Sequence, residues 1–111
     1  MSAQRIIFSL VAALALTGAG HYEDVVREDC AKRNVDGDKC RCALDALKEH
    51  LGPDYAEFIE INAYRITGEI EKYQARLRQF LDDMDAQRRD EFNRRLEAGD
   101  AAAGERCGLP G

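Results

Sequence analysis

Residues 29–42 read DCAKRNVDGDKCRC, and this stretch decides the fold. Cys30, Cys40 and Cys42 flank a short polar connector, Asn34-Val35-Asp36-Gly37-Asp38, with a helical pattern on either side. Gly37 permits a positive φ, and Asp38 is suited to cap the following helix by accepting amide hydrogen bonds. The stretch therefore reads as the turn of a helical hairpin held by cysteines. A fourth cysteine, Cys107, lies four residues before the end of the chain.

Upstream, residues 22–33 place Tyr22, Val26, Cys30 and Arg33 at steps of four, four and three, which is one face of a 3.6-residue period. Glu23 and Asp24 open this helix and Lys32 and Arg33 close it, complementing the helix dipole. Downstream, residues 39–51 carry an apolar stripe of Cys40, Ala43 or Leu44, Leu47 and Leu51. Gly52 and Pro53 stop that helix, and Pro53 is equally suited to open the next. From Asp54 to about Asp83 the apolar residues keep helical spacing. The spacing favours one long helix, bent if anywhere at Thr67-Gly68, over two short ones. Asp85 is a candidate N-cap for a last helix over 86–98, with Phe92 and Leu96 inward, Arg88, Arg89, Arg94 and Arg95 outward, and Gly99 as its stop. Residues 100–111 read as a tail tied down by Cys107. The expected architecture is all-α: a small disulfide-stabilised bundle of about four helices with an N-terminal helical hairpin.

The first twenty residues have the layout of a secretory signal peptide: Arg5, an apolar run from Ile6 to Leu16, then small residues. The apolar run is about half of what a spanning helix needs. Cleavage is expected after Ala19 or Gly20, leaving 21–111 as a single domain in the periplasm or outside the cell, with no stable membrane insertion. A domain of that size buries a modest share of its surface, so cross-links matter.

In an exported chain four cysteines point to two structural disulfides. Cys30 and Cys42 lie symmetrically about Asp36, which favours Cys30–Cys42 with Cys40–Cys107. Cys30–Cys40 with Cys42–Cys107 fits nearly as well. Cys40–Cys42 fits least, because a helix points those side chains about 200° apart. The Cys-x9-Cys interval from Cys30 to Cys40 resembles half of the twin Cys-x9-Cys hairpins of the mitochondrial intermembrane space. The second motif of that family is missing.

Other chemistries fit the residues less well. Cys40-Arg41-Cys42 lacks the two-to-four-residue spacing of structural zinc cysteines and is not the C-x-x-C of thiol exchangers. Asp36 and Asp38 are too few for a calcium loop. His21 could chelate copper as a new amino terminus only with a further ligand such as His50. Beyond residue 20 the chain contains no serine and one threonine, Thr67, which excludes a serine hydrolase. No catalytic residues, cofactor or metal ligands are assigned, and the only candidate site residues are the disulfide cysteines Cys30, Cys40, Cys42 and Cys107.

Beyond residue 20 there are 15 basic and 21 acidic residues. That balance argues against nucleic acid or anionic lipid as partner. The acidic excess falls mainly in residues 21–64. The expected function is non-enzymatic: binding another protein, of inhibitor, immunity or accessory type, or self-association, through an apolar patch along 58–81. Two alternatives are a small metal or thiol-redox protein using Cys40-Arg41-Cys42 and a purely structural envelope accessory.

Overall fold

The computed structural model describes residues 20–109. The signal-peptide reading of residues 1–20 lies almost wholly outside them. The architecture is an all-α bundle: α1 (20–32), α2 (Gly37–Leu51), a 3-10 turn (Gly52–Asp54), α3 (Tyr55–Thr67), α4 (Ile70–Asp82) and α5 (Ala86–Cys107). Among the described residues there is no strand, and no helix is long and apolar enough to cross a membrane.

The turn between α1 and α2 is centred one residue earlier than expected, at Val35 rather than Asp36. Asn34, not Gly37, takes the positive φ, at 60°. The backbone N–H of Val35 returns to the carbonyl of Cys30. Asp36, not Asp38, caps α2: its carboxylate accepts from the backbone N–H of Asp38 at 3.2 Å, and Gly37 is already helical. Moving the pivot to Val35 makes Cys30 and Cys40 the symmetric pair. The disulfides are accordingly Cys30–Cys40, with Cα atoms 6.3 Å apart, and Cys42–Cys107, at 5.7 Å. This corrects the favoured Cys30–Cys42 and Cys40–Cys107 pairing. The two cysteines of α2 point to different neighbours, Cys40 to α1 and Cys42 to the end of α5, as their angular separation on a helix requires.

Gly52 ends α2 at φ 57°, and Pro53 enters the first turn of the 3-10 segment, where its missing N–H costs nothing. The expected continuous helix over 54–83 is instead two. Gly68 sits at φ 79°; its N–H donates to the carbonyl of Arg65 and that of Glu69 to the carbonyl of Tyr64. This is a Schellman C-cap, in which glycine carries the left-handed residue. Thr67 does not open a fresh helix. Its hydroxyl donates to the Glu69 carboxylate at 2.8 Å and also lies 3.1 Å from the carbonyl of Ala63. The chain then folds α4 back along α3.

Asp85 caps α5 as expected, its carboxylate accepting from the backbone N–H of Arg88 at 2.8 Å. The helix does not stop at Gly99. It runs to Cys107, so residues 100–107 are helix and not tail. Gly99 is buried where α2 packs against α5: a Cβ there would lie 3.1 Å from a Leu47 methyl and 3.4 Å from the His50 Cβ. The core joins Cys40, Leu44, Leu51, Tyr55, Ile59, Ile61, Phe80, Met84 and Phe92. α2 packs along α5, and α3 packs along α4.

Candidate protein-binding cleft

Two helix pairs, α2/α5 and α3/α4, meet through aromatic contacts. Phe92 on α5 receives Phe80 from α4 edge-on, with ring centroids 5.2 Å apart, and Phe58 from α3 at 6.2 Å. A cleft of about 270 Å³ opens between α3, α4 and α5, lined by Phe58, Ile61, Asn62, Tyr73, Leu77, Phe80, Leu81, Phe92, Asn93 and Leu96. Only Asn62 and Asn93 bring amide groups to it. The expected apolar patch along 58–81 is therefore mostly drawn into the core: Ile59, Ile61 and Phe80 are buried and Phe58, Tyr73, Leu77 and Leu81 half-buried. Ile70 stays 49% exposed, the one large apolar side chain to do so among the described residues.

Polar contacts on either side hold the cleft walls. Arg89 donates from Nε to the carbonyls of Leu81 and Met84, closing the α4 carboxyl end. Arg88 and Arg95 reach the Asp54 carboxylate at 3.2 and 4.0 Å, pinning α5 to the 3-10 turn. On the opposite flank of α3, Tyr22 and Tyr64 share a hydroxyl contact of 3.2 Å, Tyr64 donates to Glu60 at 2.9 Å, and Arg76 donates to Glu60 at 3.2 Å. This ladder ties α1, α3 and α4 together. It pushes the Tyr64 phenol above its ordinary pKa, through the Tyr22 hydrogen bond first, then burial and Glu60. The Glu60 hydrogen bond likewise raises the Arg76 guanidinium. Three of the arginines expected to point outward (Arg88, Arg89 and Arg95) thus act between elements. Their i, i+1 and i+7 spacing gave no sign of partners on the 3-10 turn or on α4.

All four cysteines form disulfides, so neither Cys40 nor Cys42 offers a thiol. Two disulfides fit an oxidising, non-cytoplasmic compartment. His21 lies exposed, edge-on to Tyr22, whereas His50 packs against Gly99 on α5. Among the described residues no group of three or more His, Cys, Asp or Glu side chains gathers as metal ligands. No protein-family model matches the chain, and no curated protein or solved structure does either.

Proposed function

We propose that this chain is a non-enzymatic, exported helical protein, of the periplasm or the cell exterior, that binds another protein through the face built by α3, α4 and α5. The observation that carries the reading is the cleft lining: eight apolar or aromatic side chains and two amides, Asn62 and Asn93. At about 270 Å³ the space falls below the usual range for small-ligand pockets but suits a few side chains of a docked helix. Inhibitor, immunity and accessory roles all use such a surface. None of the lining residues belongs to α1 or α2; α1 carries four acidic and two basic residues and is placed to steer a basic partner, α2 carries three of each, and the rest of the acidic excess of residues 21–64 is Asp54, Glu57 and Glu60.

Affinity capture from envelope and secreted fractions tests this reading. The immobilised oxidised protein should retain a saturable partner, a second copy included. Asn93→Arg, an exposed rim position, should abolish capture by filling the cleft without touching the core. Arg41→Gln, at an exposed position on α2, should leave it unchanged. Equal capture by both variants, or no partner, would remove the reading.

A further inference from the structure

We infer that α4 is a self-association element through which two copies of this chain pair antiparallel. The inference rests on the reading of the α3–α4–α5 face as a protein-docking surface, and it names the occupant. On α4, Ile70, Gln74, Leu77 and Leu81 follow at steps of four, three and four, the seam spacing of a coiled coil. Ile70 stands exposed at one end of the seam, and Leu77 and Leu81 are half-buried at the cleft edge. Glu71 and Arg78 are both exposed and lie seven residues apart, so they share one flank of that seam. Within the described residues neither has an ion-pair partner, whereas their neighbours Lys72 and Arg76 bind Glu69 and Glu60.

An antiparallel pairing about a two-fold axis near the middle of α4 uses all six residues. Ile70 of each copy meets Leu81 of the other, Leu77 meets Gln74, and Glu71 comes within reach of Arg78, twice by symmetry. The same helix supplies both knob and hole and both signs of charge. A parallel pairing would put the Glu71/Arg78 flanks of the two copies on opposite sides of the seam, where they cannot pair with each other. The helix is about 20 Å long, so the contact belongs among small, weak interfaces and is sensitive to salt.

Sedimentation equilibrium of the oxidised exported protein, from about 10 μM to 1 mM at about 0.05 and 0.5 M salt, tests this. A reversible monomer–dimer equilibrium, weaker at high salt, is expected. Glu71→Arg or Arg78→Glu alone should weaken it about tenfold or more by turning two attractions into two repulsions. Mixing the two single variants, or combining them in one chain, should restore it. Circular dichroism checks that each variant is folded. A wild type that is monomeric throughout, a dimer indifferent to the single variants, or a mixture that stays monomeric would overturn the inference. A monomeric wild type whose other partner is still lost on Asn93→Arg removes self-pairing and leaves the docking face; loss of both removes both.

Discussion

The Arg76 guanidinium reaches the Glu60 carboxylate at 3.2 Å across sixteen residues of chain, and this pair locks α4 against α3 after the turn at Gly68. Both side chains are roughly three-quarters buried, so the bond is screened less than a surface pair. Glu60 also accepts from Tyr64, so removing Arg76 leaves a largely buried carboxylate with one hydrogen bond. Arg76→Met should cost about 1–2 kcal/mol in urea unfolding. A double-mutant cycle with Glu60→Gln should return a coupling energy well above the few tenths typical of exposed pairs.

Two glycines of α5 should respond in opposite directions. A side chain at Gly99 meets Leu47 and the His50 Cβ, and Gly99→Leu should destabilise by about 1–3 kcal/mol through overpacking. At Gly104 the nearest atom to a Cβ is a carbonyl oxygen at 3.8 Å, an ordinary contact. Gly104→Ala should stabilise by up to about 1 kcal/mol, the helix-propensity difference. Thermal unfolding of the two variants checks both signs.

The contrast between Gly68 and Gly99 shows what the sequence could and could not reveal. Both interrupt an apolar helical pattern, yet one ends its helix and the other continues it. The difference is tertiary: Gly68 turns α4 back onto α3, whereas Gly99 admits Leu47 of α2. Signals that act within a few residues were legible, namely the Gly52-Pro53 stop, the Asp85 cap and the inward placement of Phe92 and Leu96. The disulfide pairing was missed by one cysteine because the turn pivots at Asn34-Val35, a choice of backbone that the Asp-Gly pair disguised. The cleft was not legible. Its lining residues were recognisably apolar, but the gap between them depends on how α3, α4 and α5 pack together, which no local signal carries.

The disulfides should contribute unequally. Cys42–Cys107 closes a sequence separation of 65, against 10 for Cys30–Cys40. The chain-entropy model assigns about 4 kcal/mol to the longer loop and about 3 kcal/mol to the shorter. Replacing Cys42 and Cys107 together by alanine should therefore lower the urea midpoint further than replacing Cys30 and Cys40, and should fray the last turns of α5 in hydrogen exchange.

Tyr55 is buried, with Lys48 above its ring at 5.9 Å and its hydroxyl without a hydrogen-bonding partner among the described residues. Burial, followed by the nearby Glu23 and Asp45 carboxylates, pushes the phenol above its ordinary range. The folded state thus holds its proton more tightly than the unfolded chain does. The stability so gained is present below the unfolded value near 10 and is lost as pH rises above it. Alkaline unfolding followed by tyrosinate absorbance should show this loss, and Tyr55→Phe should reduce it. At neutral pH the same substitution should stabilise by up to about 1 kcal/mol, since it removes a buried polar atom.

The central claim is that the face built by α3, α4 and α5 docks protein, and hydrogen exchange measures it most directly. The oxidised protein, alone at low concentration and then in the complex it forms with itself or another protein, should gain protection along 70–81 and 92–96. Unchanged exchange there, with any new protection confined to α1 and α2, would contradict the claim.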